Sequence, residues 1–382
     1  GAGRRQRIIR LKFGFQGKIH DCLPPAAAKT PVRDHCNGLV LLHNDYVVNP
    51  ATRWAVLLPP CPDPGTTTEA DFYNRYLVYD PTVSTHFEVF RVPSGFRPKR
   101  EPGDVYYDSS IDELNHAFEE SEWPPSLYTM HVYSSRSGRW EERPFVREGD
   151  AAGTVSDSRF CGRKRYAVCW QGALYLDCEN HFLRMSLSNS KYQVIKSTIG
   201  LGARIMYQQR YLGKSEKGVY YASVDDSLLR VWFLTESSGQ MEWVLKLNNL
   251  DIRSLYYDSQ AHGPWVLQDV NYESYFPDDE KKAQVEENFE WSSDNDDALN
   301  SANRPEYGLG EIEILGFHPH KEIIFLSDSV KTGYASHLKS SKIQAMGNLY
   351  PTRYEDITFP IEHDIRGSFP YTPCWMRGFL EI

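Results

Sequence analysis

An all-β fold is the prediction, and three observations make it. Tyr, Trp and Phe account for 13% of the 382 residues, with 24 Tyr and 9 Trp, and aromatic side chains suit the half-buried, pleated surface of a sheet. Short apolar runs alternate with clusters of Asn, Asp, Gly, Ser and Pro along most of the chain, which is strand-and-turn punctuation. The runs also fall into a unit that returns every ~40–50 residues.

The unit is clearest in "CNGLVLLHNDYVVNPATRWAVLLPP" (36–60). Gly38 to Leu42 is apolar without alternation, so both faces of a strand there are buried. His43-Asn44-Asp45 is turn chemistry, since Asn and Asp tolerate left-handed backbone and bond their own main chain. Tyr46-Val47-Val48 is a second strand, Asn49-Pro50 breaks it, and Trp54 to Leu58 is a third that Pro59-Pro60 ends. "RYLVYDPTVSTHFEVFRVP" (75–93) repeats strand, Asp-Pro turn, strand, and "TMHVYSSRSGRWEERPF" (129–145) gives strand, Ser-Gly turn and a Trp-led strand. Residues 165–196 read as four strands with turns at Gln171-Gly172, Glu179-Asn180 and Ser188-Asn189. Residues 218–247 give three more, turning at Asp225-Asp226 and Ser238-Gly239, and 310–328 with 333–349 complete the series. Gly or Arg precedes Trp54, Trp140 and Trp243 by a few residues; Trp140 and Trp243 are therefore expected as buried anchors of outer strands.

A four-stranded unit at this period is the mark of propeller blades, and radial repetition leaves only short, protected sheet edges. The expected architecture is a single β-propeller over 33–382, kelch-like, with six four-stranded blades. A pair of sandwiches also suits many short strands, but it predicts a linker near the middle, and the composition does not change around residue 190. Two stretches interrupt the pattern. "SSIDELNHAFEES" (109–121) carries a Ser110…Glu113 capping box and helical spacing of Ile111, Leu114 and Phe118. Residues 277–305 are acidic and poor in aliphatics, and read as a flexible insertion between blades.

A net charge of −9 argues against a general nucleic-acid binder, which needs a basic field over phosphates. Most of that charge sits between Asp278 and Asp297, so the remaining chain is nearly neutral. The cysteines Cys22, Cys36, Cys61, Cys161, Cys169, Cys178 and Cys374 are scattered, with no CxxC pair. Strand pairing would allow a bridge from Cys161 to Cys169 or from Cys169 to Cys178. No Asn-x-Ser/Thr acceptor occurs, the basic first residues lack a signal-peptide apolar core, and no run approaches the ~18 apolar residues of a membrane helix. These features predict a reduced, cytoplasmic or nuclear protein with no membrane partner.

Chemistry-bearing patterns are sparse. His318-Pro319-His320 lacks further ligands at a metal spacing. Gly200-Leu201-Gly202 has Ile205 where a dinucleotide loop needs its third Gly. Gly213-Lys214-Ser215 fits neither a nucleophile elbow nor a phosphate loop. Asp294-Asn295-Asp296-Asp297 begins like a calcium loop but continues with Ala298. Glu141-Glu142 and Asp225-Asp226 are a glycosidase pair only if the fold joins them, which keeps a propeller-scaffold hydrolase or lyase as the alternative reading. No catalytic residue, metal or cofactor is expected. Partner binding is placed instead on loops leading into the inner strands, where function tends to lie, with Arg163, Lys164, Arg165, Arg204 and Tyr207 as candidates because Arg and Tyr are favoured interface anchors.

Several of these segments also carry a family resemblance. "RDHCNGLVLL", "YVVNPATRWAVLLPP", "YLVYDPTVSTHFEVFRVP", "HVYSSRSGRWEER", "GALYLDCENHFLRM", "ILGFHPHKEIIFL" and "SSKIQAMGNLYP" resemble, in the family's order, the F-box-associated β-propeller region of plant F-box proteins of the grass type. The likeness runs from about Arg33 to the C terminus. It departs at Ala335-Ser336-His337-Leu338, where the family has an aromatic before the His. Residues 1–32 lack the Leu-Pro-rich docking helices and look like the lead-in that follows an F-box. The resemblance implies a substrate-recognition domain of a cullin-type ubiquitin-ligase receptor, reaching a Skp-type adaptor and cullin only through an F-box that this chain lacks. An interaction module without a ligase role is the further alternative, and the protein substrate is unnamed.

Overall fold

The computed structural model describes residues 30–62, 68–98, 119–158, 166–178, 180–197, 209–225, 228–237, 239–252, 312–328, 332–340, 342–348 and 369–375. The helix expected at 109–121 lies outside them apart from its last three residues, and the acidic insertion 277–305 lies wholly outside. The protein is an all-β structure, and its strands fall into four-stranded antiparallel meanders.

The first meander holds β1 (Val32–Cys36), β2 (Leu39–Leu42), β3 (Tyr46–Asn49) and β4 (Trp54–Leu57). The second holds β5 (Thr68–Val78), β6 (Glu88–Pro98), β8 (Leu127–Ser134) and β9 (Arg139–Glu148), with β7 (Glu122–Trp123) paired separately to β10 (Gly153–Thr154). β11 (Ala167–Trp170), β12 (Ala173–Asp177), β13 (His181–Ser186) and β14 (Lys191–Lys196) form the third. β15 (Gln209–Ser215), β16 (Gly218–Asp225), β17 (Leu228–Ser237) and β18 (Gln240–Asp251) form the fourth. β19 (Ile312–Phe317), β20 (Ile323–Asp328), β21 (Thr332–His337) and β22 (Ile343–Asn348) form the fifth. Parallel pairing of β14 with β9, Lys191 opposite Val146 and Gln193 opposite Glu148, merges the second and third meanders into one eight-stranded sheet.

Burial explains why each run takes its place. In β2 and β16 nearly every side chain is buried, as expected of runs without alternation that are covered on both faces. In β9 only Trp140 and Phe145 are buried, each flanked by exposed residues. The fourth strands carry large anchors that reach back to the preceding meander. Trp140 and Trp243 are 9% and 5% exposed, as their spacing after a turn predicts. Trp140 Nε1 donates to the Pro59 carbonyl beyond β4 at 2.8 Å. Tyr192 on β14 donates to the Pro125 carbonyl ahead of β8 and meets Tyr128 edge-on at 6.1 Å. Trp243 on β18 packs on Phe182 of β13 at 4.7 Å.

The first strands meet one another. Leu77 N–H donates to the Asp34 carboxylate at 2.7 Å, joining β5 to β1. Tyr166 and Tyr211 meet as tilted rings at 4.6 Å between the third and fourth meanders, and Tyr211 meets Phe317 of the fifth at 6.1 Å. Strand β1 is a difference from the sequence reading, which begins the first meander at Gly38. "VRDHC" shows neither an apolar run nor alternation; Asp34 accepts from β5 and His35 stacks on Phe369.

Residues 369–375 lie between the fifth meander and the first. Pro370 abuts Gly316, where a Cβ would sit 2.6 Å from its ring. Phe369 stacks on His35 at 4.1 Å. Cys374 closes on Gly38, whose φ is +90° and where a Cβ would lie 2.6 Å from Cys374 Cβ. Asn49 Nδ2 donates to the Cys374 carbonyl at 3.0 Å. Both glycines are required for close approach as well as for backbone freedom.

Candidate functional site

Three hairpin turns of the fourth and fifth meanders enclose a groove of about 300 Å³. The β15–β16 turn supplies Ser215, Glu216 and Lys217, the β19–β20 turn supplies His320, Lys321 and Glu322, and the β21–β22 turn supplies Lys339 and Ser340. Hydrogen bonds to main-chain carbonyls fix these turns against each other. Ser215 Oγ donates to the Lys321 carbonyl at 2.9 Å, and Leu338 N–H donates to the Glu322 carbonyl at 2.9 Å.

Glu322 is the hub. Its carboxylate receives Lys217 Nζ at 2.8 Å, Lys339 Nζ at 3.1 Å and the Tyr220 hydroxyl at 3.1 Å. Burial disfavours the charge, but these donors outweigh it and pull the Glu322 pKa down to about 2. The side chain is 15% exposed, whereas Lys217 and Lys339 are 53% and 73% exposed. Each ammonium has three donors, so both lysines can hold Glu322 and still address an incoming acceptor. Three lysines face two glutamates across this lining, which gives the groove a positive balance. A carboxylate held ionised so far below neutrality is poorly placed to exchange protons near pH 7. The arrangement is suited to charge recognition.

His318 forms the floor of the β19–β20 turn. Its Nδ1 accepts the backbone N–H groups of His320 and Lys321 at 3.0 and 3.1 Å, and burial, helped by His320 and Lys321, lowers its pKa to about 4. The lone pair a metal would need is thus engaged by the turn. Of the carboxylates singled out in the sequence, Glu141 pairs with Arg139 at 3.3 Å and Glu142 approaches His131 Nε2 at 3.6 Å. Asp226 lies outside the described residues. Cys169 and Cys178 carry free thiols, and Cys161 falls outside.

The predicted partner contacts Arg163, Lys164, Arg165, Arg204 and Tyr207 all lie outside the described residues, in the stretches that lead into β11 and β15. The groove was missed from sequence because Lys217 and Glu322 are 105 positions apart. The only signal was three turns carrying Lys or His, which also describes an ordinary solvated turn. Lys214 was missed too. It was set aside as part of a failed phosphate loop, yet its ammonium lies among the first strands, donating to Asn37 Oδ1 at 2.8 Å and to the Cys169 carbonyl at 2.9 Å.

Among the described residues no helix is long and apolar enough to cross a membrane. No family model matches the chain, and no curated protein matches it. Among solved structures, the crystal structure of the computationally designed Ika8 protein is similar over 84% of this chain and 86% of its own, at 8% identity and a TM-score of 0.26. A likeness that slight carries no argument about this protein.

Proposed function

We propose that the protein is a non-catalytic recognition module, the substrate-binding β-propeller of an F-box-type receptor in a cullin-based ubiquitin ligase. The observation that carries the reading is the repeated four-stranded meander, whose first strands meet and whose fourth-strand anchors reach back to the preceding unit. Such a repeat supports a propeller reading, since propeller blades are four-stranded units, and it falls on the segments that resemble the F-box-associated region. Six blades would need one meander beyond those among the described residues. The receptor works by proximity: it holds a protein so that the ligase can transfer ubiquitin to it. The Skp-type adaptor and cullin are reached through an F-box, and the compartment is cytoplasmic or nuclear.

Two surfaces compete for the partner. One is the groove around Glu322, which fits an acidic side chain of the partner. The other comprises Arg163, Lys164, Arg165, Arg204 and Tyr207, which precede β11 and β15, whereas the groove begins at Ser215, the last residue of β15. Affinity capture with the product of the complete gene, scored for adaptor and cullin, tests the ligase assignment. Recovery of both supports it; recovery of neither with folded protein removes it. Partners recovered are then rebound to Lys217→Glu/Lys339→Glu and Arg163→Glu/Arg165→Glu variants. The true surface loses about 2 kcal/mol or more.

A further inference from the structure

All five meanders come together where their first strands end. Asn37 of the β1–β2 turn donates from Nδ2 to the carbonyl of Tyr79, the residue after β5, at 2.6 Å. The Lys214 ammonium, near the end of β15, donates to Asn37 Oδ1 at 2.8 Å and to the Cys169 carbonyl, near the end of β11, at 2.9 Å. Ser215 then bonds to Lys321 of the β19–β20 turn. Each meander is antiparallel, so its first-to-second and third-to-fourth turns lie at this same end. Those turns share a sign. They carry Arg53, Arg136, Lys217, Lys321, Lys339 and Lys342 against Asp80, Glu216 and Glu322. Asp80 is occupied by its own turn, through Thr82, and Glu322 by Lys217 and Lys339. At the far end the second strands β12, β16 and β20 finish instead in Asp177, Asp225 and Asp328. Lys214 is the unusual member of the basic end. It is part-buried, both its acceptors are neutral, and among the described residues no carboxylate meets it. One of its three N–H groups remains, and a part-buried charge calls for a counter-charge.

We propose that this end of the protein docks an acidic segment of a partner protein, with one carboxylate on Lys214 and neighbouring carboxylates on Lys217 and Lys339 in the groove. The proposal rests on reading the chain as a recognition module, and it sets the partner on these turns rather than on the residues leading into β11 and β15. Ser215, which follows Lys214, lines the groove, so the two contact points are contiguous. An extended peptide offers every second side chain to such a path. Lys217 and Lys339 are already aimed by Glu322, which lowers the cost of ordering them when the partner arrives. Nucleic acid fits this end less well. Tyr79 and Phe87, the aromatic residues of these turns, are buried and cannot stack on bases, and Glu216 and Glu322 in the groove oppose a continuous phosphate backbone.

The test titrates the full 382-residue chain into a fluorescein-labelled peptide of roughly twelve residues alternating Asp and Ser, read by anisotropy. The Asp peptide should bind, more weakly as salt rises from about 50 to about 300 mM, and its counterpart with Asn for Asp should not. Lys339→Glu should weaken binding about tenfold. Lys196→Glu makes the same charge change where β14 finishes at the far end, and should leave binding within about twofold. Equal losses in the two variants would mean that net charge alone attracts the peptide, and would overturn the site. So would an Asp peptide that does not bind. Displacement by a single-stranded DNA of equal charge at lower concentration than by unlabelled peptide would give the surface to nucleic acid instead. Lys214→Met should also cost about tenfold, and a folded variant that binds as the parent does would remove the contact assigned to Lys214. Should that variant fail to fold, the comparison of Lys339→Glu with Lys196→Glu still decides the proposal. Adaptor and cullin take no part in this assay, so its failure would strike this surface and leave the receptor reading to the affinity capture.

Discussion

The seam between the second and third meanders and the seam between the fourth and fifth solve one packing problem in opposite ways. In the first, main chain meets main chain: β14 runs parallel to β9, and Val146 N–H donates to the Ser190 carbonyl at 2.9 Å. Tyr192 fills the space beneath, fully buried, and Lys191 and Glu148 pair only at the rim, at 2.6 Å with each about half exposed. In the second seam Tyr220 and Phe317 meet at 5.3 Å near the first strands. Farther along, the join passes to side chains, through Ser215, Lys217, Tyr220 and Glu322. Backbone pairing satisfies donors and acceptors in place and lets the interior be apolar. Side-chain pairing holds the turns apart by the length of a lysine, and the groove is the space that remains.

Three substitutions probe that contrast. Tyr192→Ala should cost about 3–5 kcal/mol, through lost burial and a cavity at a seam with no polar slack, and Trp140→Ala should cost a similar amount. Tyr192→Phe isolates the hydroxyl, whose bond to the Pro125 carbonyl is worth about 1 kcal/mol; urea midpoints measure each. A Tyr192→Ala variant that melts as the parent does would mean that the parallel pairing alone carries the seam.

Glu322→Gln comes next, at about 1–2 kcal/mol near pH 7, and it changes the pH dependence as well. In the unfolded chain this carboxyl titrates near 4.5, and in the fold it stays ionised down to about 2. Its stabilisation is complete above the unfolded pKa and is lost as pH falls from about 4.5 towards 2. The variant should therefore show a shallower loss of stability across that window. Identical slopes for parent and variant would contradict the hub. Smallest of all is Lys191→Ala, at roughly 0.5 kcal/mol or less and less still in high salt, because an exposed pair gains little.

What could be read from the sequence follows from how local each feature is. The strands from 165 to 196 were legible turn by turn, since Gln171-Gly172 adopts left-handed backbone at both residues and hairpins demand that chemistry. Trp140 and Trp243 were legible because a turn and a Trp lie within a few residues of each other. β1 was not, because Asp34 and His35 look like loop residues until Leu77 and Phe369 are beside them. The same holds for the groove. Distance along the chain hides an ion pair completely, whereas an apolar run announces its own burial.

Asn49 and Cys374 are 325 positions apart, and that separation sets an order of events during synthesis. At the ribosome's roughly 5–20 residues per second, β3 waits about 15–65 s for its partner to emerge. During that interval Val40, Leu42 and Val48 have neither Phe369 nor Tyr371 to cover them. Until then the first meander presents that apolar face to water. Arrival of Phe369, Tyr371 and Cys374 marks the moment when that face is covered.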